Sequence, residues 1–583
     1  MIGQIDVSAA GLTLIVRFSV HKAISAPVWC FSLIGPAQVV SGGTLVSQTG
    51  GYFEVLLPDL SPDEIHQVII EYPADTKGIN RAWHPMGSHL RLDNAVFPVA
   101  CSTPIGVHAK HHPQLPSLAK NQIYPPIQCA NFDDAHISKP LRAHGIAGLA
   151  GVKALANRLG IAMFDSEASS IPVKRILSDI GKAAYQIDIS PTCVTIIAED
   201  EIGVHNAGIT LLNLLIHHKN IPIGSIQDAP RFSWRGQHLD CARHCFSKDF
   251  ILTLLDDMTL LKLNKFHWHF ADDEAFRIEL DCIPNQPDLN TRGHGHMLPA
   301  VFGAGAEAKG TYTKADVAEI VERARELNID ILPEFEIPAH SMGLYRLIPD
   351  LRDPKDRGTE TSVQGYTQNV MNPAKPETWE LIENIVQELT TIFPYDIIHL
   401  GGDELPEKAW DGSPLMVGLK KDEGLETSDD ILGWTMAKAG NITCNHAHRP
   451  AAWEESIRGQ NGGIGHDALI FCWTGVEAGV KAAKHGYDVV LCPAQICYFD
   501  MAHTAKIDDW GASWANPISV SDILNWDPLA NICPKLQDKI LGIQGTFWAE
   551  FTTRDEDATK MLFPRLTAMA SVAWGSPKQT TNP

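Results

Sequence analysis

The chain has 583 residues, of which 44% are hydrophobic and 20% are charged, a composition typical of folded globular proteins and not of disordered or fibrous ones. This length suggests roughly three or four domain-sized units. The net charge of -22 argues against nucleic acid or an anionic membrane as a partner, because phosphate binding needs a positive field. A neutral or cationic small molecule fits this charge better.

The first residues and the cysteines favour a cytoplasmic protein. The opening segment MIGQIDVSAAGLTLIVRFSV lacks the basic start and the small-residue cleavage site of a secretory signal peptide. No uncharged apolar run reaches membrane-spanning length. The twelve cysteines are scattered without a CxxC pair, so we expect reduced thiols, a cytoplasmic location and no membrane span.

Two non-catalytic regions are predicted before residue 229. Residues 1–120 are predicted to form a β-rich N-terminal domain with its linker. Residues 1 to about 100 contain short β segments broken by Gly, Pro and Ser, such as LTLIVRFSV, YFEVLLP and QVIIEYP, and these predict a β-sandwich-like fold. A linker rich in Pro, Lys and His, STPIGVHAKHHPQLPSLAKNQIYPP, follows this domain. Residues 121–228 predict an α+β domain, with helices LAGVKALANRLG and NAGITLLNLLIHH and strands AYQIDIS and CVTIIAE.

Residues 229–583 alternate short β-like runs with helical stretches, which predicts a parallel (β/α)8 TIM barrel. One of the helices, TKADVAEIVERARELN, opens with a Thr cap and carries apolar residues at helical spacing. The predicted strands are QHLDCAR, KFHWHFAD, IDILPEFE, IIHLGGDE, RPAAWEE, ALIFCWTG, YDVVLCPAQICYFD and KILGIQGTFWAEF. The fold class is therefore multidomain α/β, with a catalytic barrel preceded by an α+β domain and a β-sandwich-like domain.

Polar and aromatic residues follow nearly all of the predicted barrel strands. In this architecture the C-terminal ends of the strands carry the active site, so the set predicts one pocket. A single member could simply cap a helix or fill the core, but such repetition favours a functional site. The set comprises Arg243, Asp272, Asp273, Glu336, His340, Asp403, Glu404, Trp453, Glu454, Trp473, Tyr498, Asp500, Trp548 and Glu550.

These residue types favour a sugar as substrate. The sequence contains no nucleophile elbow, no Gly-rich phosphate loop and no cluster of basic residues for phosphate. Tryptophan packs on the C–H faces of a pyranose, and charged groups hydrogen-bond its hydroxyls. Cleavage of a glycosidic bond also needs an acid of raised pKa, and Asp403 beside Glu404 places one carboxylate next to another. Adjacent acids do not suit the usual pair of nucleophile and acid about 5 Å apart on different sides of the bond.

Six motifs make the sequence similar to glycoside hydrolase family 20, the β-N-acetylhexosaminidases. They are HLGGDE (399–404), LDCARHCF (239–246), FHWHFADDEAFRIEL (266–280), EFEIPAHS (334–341), YFD (498–500) and FWAE (547–550). The resemblance covers residues from about 229 to 575, and the α+β region is similar to the non-catalytic domain that precedes such barrels. The β-rich region resembles an extra N-terminal domain of some bacterial members, for which packing and sugar binding both remain open.

The resemblance implies substrate-assisted catalysis, in which the 2-acetamido group of the substrate attacks its own anomeric carbon. Asp403 would orient the acetamido N–H and stabilise the oxazolinium-type intermediate, and Glu404 would act as general acid and then as general base. The expected substrate is an N-acetylhexosamine-containing oligosaccharide, cleaved with retention at a terminal β-linked GlcNAc or GalNAc. The resemblance implies no cofactor and no metal.

The remaining motif residues would bind the sugar or support the acid. The resemblance implies that Tyr498 hydrogen-bonds the acetamido oxygen and that Trp453, Trp473 and Trp548 form the pocket walls. It implies that Arg243, Asp500 and Glu550 bind the ring hydroxyls. Asp272 and His340, with His269, would form a network linked to the acid.

Two alternatives compete with this interpretation. The HWH motif at 267–269 is similar to the His-x-His pair of zinc-dependent amidohydrolase-type barrels, although the later strands supply Trp, Tyr and carboxylates and not further His. The second alternative is a non-catalytic sugar-binding barrel, which the presence of Asp403, Glu404 and Tyr498 disfavours.

Overall fold

The computed structural model describes residues 3–76, 78–93, 95–102, 106–107, 123–293, 302, 307–353, 355, 361–363 and 365–575. Most of the predicted linker and the last eight residues lie outside this range. None of the helices in the described part of the chain combines the length and the apolar character that a bilayer crossing requires.

The N-terminal region forms two five-stranded sheets, in the orders β10-β1-β2-β7-β4 and β5-β6-β3-β8-β9. Alternation along β2 buries Leu14, Val16 and Phe18, and these pack with Trp29 and Phe31 of the second sheet in one core. The strands are β1 Gly3–Ala10, β2 Thr13–Val20, β3 Val28–Ser32, β4 Gln38–Ser41, β5 Thr44–Thr49, β6 Tyr52–Leu56, β7 His66–Glu71, β8 Met86–Leu92, β9 Ala95–Pro98 and β10 Ala100–Cys101, with a 3₁₀ turn at Arg81–Trp83.

The α+β region is a six-stranded sheet in the order β11-β16-β14-β15-β13-β12. Its elements are β11 Cys129–Ile137, β12 Leu141–Arg142, α1 Ala150–Arg158, β13 Ile171–Leu177, β14 Tyr185–Ile189, β15 Val194–Ala198, α2 Glu201–His218 and β16 Ile221–Asp228. Helix α2 starts earlier than the predicted segment 206–218, because Asp200 caps it by accepting a hydrogen bond of 2.7 Å from the Gly203 amide.

Eight parallel strands close the predicted barrel, in the order β17-β18-β23-β24-β25-β26-β27-β28. Pairing of β28 with β17 completes the circle. The strands of this region are β17 Trp234–Asp240, β18 Lys265–His269, β19 Ala271–Asp272, β20 Ala275–Phe276, β21 Arg292–Gly293, β22 Glu307–Ala308, β23 Asp330–Glu334, β24 Ile397–His399, β25 Arg449–Trp453, β26 Leu469–Cys472, β27 Asp488–Leu491 and β28 Ile540–Gly545.

The helices around the barrel depart from the ideal pattern at one connection. Between β25 and β26 the chain forms a 3₁₀ turn, Glu454–Ile457, in place of an α-helix. The helices are α3 Lys248–Leu260, α4 Gln286–Asn290, α5 Lys314–Glu326, α6 Met342–Leu347, α7 Pro376–Ile392, α8 Pro414–Glu423, α9 Ser428–Asn445, α10 Val476–Lys484, α11 Ala494–Cys497, α12 Val520–Asn525, α13 Pro534–Gln537, α14 Asp555–Leu562 and α15 Arg565–Trp574, with a 3₁₀ turn at Pro349–Leu351.

The prediction of one continuous strand over residues 487–500 is wrong. Strand β27 ends at Leu491, and the short helix α11 follows Pro493. Proline has no N–H to continue the sheet ladder, and its carbonyl instead accepts a hydrogen bond of 2.8 Å from the Cys497 amide. Tyr498 and Asp500 therefore reach the pocket from a loop and not from a strand end.

A buried lysine ties the α+β region to the barrel. The Lys262 ammonium donates to the Tyr185 hydroxyl at 2.7 Å and to the Asp228 carboxylate at 2.9 Å. It also lies 4.3 Å from the centre of the Trp574 ring on the last barrel helix. Lys262 lies near the start of the barrel region and Trp574 near its end, so these contacts join the sheet of the α+β region to both.

Candidate active site

A pocket opens at the C-terminal ends of the barrel strands, with a volume of about 530 Å³ that includes its solvent-filled mouth. Most of the residues predicted for the site line it, although they are distant in sequence. The lining comprises Arg243, Tyr366, Asp403, Glu404, Trp453, Trp473, Tyr498, Asp500, Trp514, Trp548 and Glu550.

Two glycines after β24 turn the chain so that Asp403 and Glu404 face the pocket. Gly401 and Gly402 have φ of 66° and 96°, and neither has room for a side chain. A Cβ on Gly401 would lie 1.7 Å from the Glu336 carboxylate, and one on Gly402 would lie 2.1 Å from the Ser456 hydroxyl. Glu404 itself has φ of 49°, a conformation that costs a non-glycine residue about 1–3 kcal/mol and is typical of functional sites.

A chain of ionisable groups leads from Glu404 into the barrel. His340 places Nε2 3.3 Å from the Glu404 carboxylate and Nδ1 3.3 Å from that of Asp272. Asp272 lies 3.0 Å from His269 Nε2, and His269 Nδ1 lies 2.6 Å from Glu334. Asp272 and His340 are buried and do not line the pocket, and His340 lies between Asp272 and Glu404.

Charges along this chain set the proton affinity of its members. Burial alone would lower the pKa of His340, but Asp272 and Glu404 raise it well above its ordinary value, so we treat His340 as an imidazolium. Burial raises the pKa of Glu404, but the hydrogen bond and charge of His340 and a hydrogen bond from Tyr366 outweigh this effect and leave the pKa lowered. The prediction that the neighbouring Asp403 raises the pKa of the acid is therefore wrong, because the His340 imidazolium lies 3.3 Å from Glu404. Glu404 keeps 38% of its side chain exposed, which leaves it open to a leaving group.

The other carboxylic acids near Asp403 have raised pKa values. Burial and the Asp403 charge raise the pKa of Glu336 well above its ordinary value and that of Glu455 to about 8. The pKa of Asp403 is itself raised, by burial and by Glu404, although His340 opposes the shift. Among these acids, Glu404 is the one whose pKa is lowered, whereas those of Glu336, Glu455 and Asp403 are raised.

Aromatic rings form the walls of the pocket. Trp453 and Trp548 lie with ring centres 5.9 Å apart, and Tyr498 stacks on Trp473 at 6.4 Å with an interplanar angle of 22°. The Trp473 indole N–H donates to Glu455 at 3.3 Å, which holds that wall in place. Burial raises the pKa of Tyr498 well above its ordinary value, so its hydroxyl stays available as a donor.

Arg243 supplies the positive charge of the pocket. Its guanidinium pairs with Asp272 at 2.9 Å and lies 5.0 Å from the centre of the Trp548 ring. These contacts fix the side chain, so it can present its remaining donors in a set direction.

Asp500 and Glu550 form a pair of acids at the same end of the pocket. Burial and the charge of Glu550 raise the pKa of Asp500 well above its ordinary value, and burial raises that of Glu550 to about 7. Asp500 Oδ1 and Glu550 Oε2 are buried and have no hydrogen-bond partner within the described residues. Buried polar atoms without partners are costly, and sugar hydroxyls would satisfy them.

Two pocket residues, Tyr366 and Trp514, escaped the sequence analysis. The Tyr366 ring meets His340 edge-on at 4.9 Å, and Trp514 meets Trp473 edge-on at 6.2 Å. Trp514 is 49% exposed and lies at the mouth of the pocket. Both lie far along the loops that follow β23 and β27, where no strand end or motif marks them.

Comparison with known families decides between the remaining interpretations. The family model described as "Glycosyl hydrolase family 20, catalytic domain" matches residues 232–577. The chain belongs to glycosyl hydrolase family 20. Its barrel therefore has the fold and the hydrolase class that the six motifs predicted, and the amidohydrolase-type alternative is wrong.

Bacterial members of glycosyl hydrolase family 20 resemble the chain beyond the barrel. The beta-hexosaminidase of Vibrio furnissii is 32% identical over 406 residues, which cover 68% of this chain and 66% of that protein. The N,N'-diacetylchitobiase of Vibrio harveyi is 25% identical, over 67% of this chain and 54% of that protein. The matched part of the chain thus spans about half to two thirds of these relatives.

A solved family 20 structure matches nearly the whole molecule. The exo-β-N-acetylglucosaminidase of Vibrio harveyi, crystallised with N-acetylglucosamine, has a TM-score of 0.87 and 25% identity. The match covers 99% of this chain and 96% of that chain, so it includes the regions that precede the barrel.

The histidines of the HWH motif belong to a buried cluster around the Glu334 carboxylate, under this family 20 pocket. His269 and His399 lie 2.6 and 2.8 Å from the Glu334 carboxylate, and His267 and His238 lie 3.1 and 3.5 Å from it. Two ligands of one tetrahedral zinc would lie roughly 3.3 Å apart, and the shorter 2.6 Å contact of His269 Nδ1 with Glu334 is a hydrogen bond. Burial raises the pKa of Glu334, but His399, His269 and His267 lower it well below its ordinary value, so this cluster keeps a charged carboxylate in the barrel core.

Proposed function

We propose that the protein is an exo-acting β-N-acetylhexosaminidase that removes terminal, non-reducing β-linked GlcNAc or GalNAc. The observation that carries this proposal is the Asp403–Glu404 pair in a pocket walled by Trp453, Trp548 and Tyr498. The names of its relatives support it, since these are a beta-hexosaminidase, an N,N'-diacetylchitobiase and an exo-β-N-acetylglucosaminidase.

The proposed reaction uses the acetamido group of the substrate as nucleophile. Its carbonyl oxygen attacks the anomeric carbon while the glycosidic bond breaks, and the Glu404 proton moves to the departing oxygen. Asp403 accepts the acetamido N–H and stabilises the positive charge of the oxazolinium ion, and Tyr498 donates to the acetamido oxygen. Glu404 then takes a proton from water, whose oxygen bonds to the anomeric carbon as the bond from that carbon to the acetamido oxygen breaks. This restores the acetamido group and gives a product of retained configuration.

The polar end of the pocket supports specificity for a single terminal sugar. Arg243, Asp500 and Glu550 lie buried there, and their free acceptors and donors suit ring hydroxyls. A ring bound this way leaves its anomeric carbon towards Glu404, which is exposed to the pocket solvent. Cleavage then releases one residue at a time.

The natural substrates we propose are short oligosaccharides such as chitobiose, which would place the enzyme in the breakdown of chitin fragments. We also propose a cytoplasmic location. All twelve cysteines, which lie within the described residues, are free thiols, as suits a reducing compartment.

Hydrolysis of three para-nitrophenyl glycosides tests the activity. We expect turnover of the β-GlcNAc and β-GalNAc substrates and almost none of the β-glucoside, which lacks the acetamido group. Equal turnover of the glucoside would overturn the proposal. Binding of GlcNAc without turnover of any substrate would favour the non-catalytic sugar-binding barrel.

A further inference from the structure

We propose that the N-terminal β domain positions the active site, because two of its turns hold the two barrel loops that bring Tyr366 and Trp514 into the pocket. The effect on catalysis rests on the proposed function, whereas the effect on the loops does not. Trp29, Phe31 and Phe53 of this domain are buried in its own core, where they stabilise the fold and are not available to bind a sugar.

The first contact is made by the hairpin turn between β5 and β6. The Gly51 amide donates a hydrogen bond of 3.1 Å to the Val363 carbonyl. Gly50, at φ of 53°, packs so closely on the barrel loop that a Cβ there would lie 2.1 Å from the Ser362 carbonyl oxygen. The turn therefore abuts the loop backbone directly.

The loop that this turn contacts carries Tyr366 to the catalytic acid. The Tyr366 hydroxyl hydrogen-bonds to Glu404, and its ring packs on His340. On its barrel side the loop is held by Asp273, which accepts a hydrogen bond of 2.8 Å from the Ser362 hydroxyl.

The backbone of this loop is in a costly conformation. Non-glycine residues with positive φ persist only where the surrounding structure enforces them. Those in this loop are Ser362 at 24°, Val363 at 47°, Tyr366 at 44° and Thr367 at 68°. The hairpin turn between β5 and β6 helps to hold the loop backbone in this conformation.

The second contact is made by the turn at Asn80 and Arg81. The Asn80 side-chain amide donates to the Gly511 carbonyl at 2.9 Å. Arg81 donates twice to the same loop, from Nε to the Asp508 carbonyl at 2.6 Å and from its backbone amide to the Asp509 carbonyl at 3.2 Å. Both side chains are buried at this junction, with 5% and 8% of their surface exposed.

The loop that these residues hold forms another part of the pocket. Its Ala512 amide donates to the Asp500 carbonyl at 2.9 Å, which ties the segment beside Trp514 to an acid of the polar end. Trp514 then packs on Trp473 and Tyr498. Movement of residues 508–511 would thus displace a wall of the pocket mouth and the backbone of Asp500.

A matched pair of glycine variants tests the first contact. Gly50→Ala adds a methyl group that must push Ser362, Val363 and Gly365 of the loop, whereas Gly11→Ala adds one at a similar φ of 63° with no neighbour within 4 Å. We expect faster hydrogen exchange in residues 361–363 and 365–368 for Gly50→Ala only. We also expect a loss of kcat/KM of roughly 10- to 100-fold for Gly50→Ala, the size that follows from displacing catalytic groups by about 1 Å.

A pair of arginine variants tests the second contact. It also tests whether the N-terminal domain positions the pocket loops if Gly50→Ala does not fold. Arg81→Met removes the side-chain hydrogen bond to the loop, whereas Arg91→Met breaks a bidentate pair with Glu54 at 2.6 and 2.8 Å inside the same domain. We expect faster exchange in residues 498–517 and a raised KM for chitobiose only with Arg81→Met. KM does not depend on the folded fraction, so lowered stability alone cannot produce this result.

Equal exchange and equal KM within each pair would overturn the positioning role. Faster loop exchange in an enzyme that turns over no N-acetyl glycoside would uphold that role and contradict the proposed function instead.

Discussion

His340 Nε2 lies 3.3 Å from the carboxylate of Glu404, and this contact sets the proton affinity of the proposed catalytic acid. The imidazolium and its hydrogen bond lower the pKa of Glu404 against the opposing effect of burial. Since Glu404 must be protonated when the leaving group departs, kcat/KM is expected to fall as the pH rises through that lowered pKa.

Replacing His340 by glutamine should move the alkaline limb of the kcat/KM profile to higher pH. Loss of the positive charge raises the pKa of Glu404, so the acid stays protonated over a wider range, although its orientation and the maximal rate suffer. The control is His446→Gln, which breaks a surface pair with Glu383 and should leave the profile unchanged. An alkaline limb at the wild-type position or below would contradict the role of His340.

Glu404→Gln should lose activity according to the leaving group. Without a proton donor, substrates with poor leaving groups should slow by roughly 10²- to 10⁴-fold, the usual contribution of general acid catalysis. Aryl glycosides whose leaving phenol is strongly acidic should lose less of their rate of glycosidic bond cleavage. Steady-state rates over a series of phenols measure this slope, and Glu407→Gln on the same loop is the control. The same loss for every phenol would contradict the assignment.

Asp403→Asn should slow every N-acetyl substrate whatever its leaving group. The amide cannot accept the acetamido N–H as a carboxylate does, and it cannot stabilise the charge of the oxazolinium ion. The phenol series should therefore show a uniform loss, in contrast to Glu404→Gln. A variant with full turnover would remove Asp403 from the mechanism.

Lys262→Met should destabilise the junction between the α+β region and the barrel. It leaves the buried Asp228 carboxylate without its cation, and breaking a buried pair costs about 3–5 kcal/mol. Lys314→Met removes an exposed pair with Asp281, which solvent and salt screen. Thermal unfolding should show a drop of several degrees for the first variant and little change for the second. Equal midpoints would show that Lys262 does not stabilise the junction.

The sequence was sufficient to predict the barrel and the pocket residues that follow its strands. Asp403 and Glu404 follow the apolar strand β24 closely, and Trp453 is the last residue of β25. The start of α2 before residue 206 could also have been predicted, because Asp is a common N-cap residue and Asp200 caps this helix. The false strand over 487–500 shows the limit of apolar runs, since Pro493 ends the ladder inside one.

Tyr366 and Trp514 could not be predicted in this way. Their loops take their paths from contacts with residues distant in sequence, among them Gly51 and Arg81 of the N-terminal domain. Such contacts join two separate regions of the chain, so no local pattern of polar and apolar residues predicts them. The same holds for the position of His340 behind the pocket, which depends on Asp272.

The central claim is that the acetamido oxygen of the substrate, and not a side chain, attacks the anomeric carbon. The most direct test compares kcat for aryl β-glycosides whose N-acetyl group carries none, one, two or three fluorine atoms. Fluorine withdraws electron density from the carbonyl oxygen, so the account predicts a steep, progressive fall in kcat along the series. A kcat that stays constant across the four substrates would contradict it.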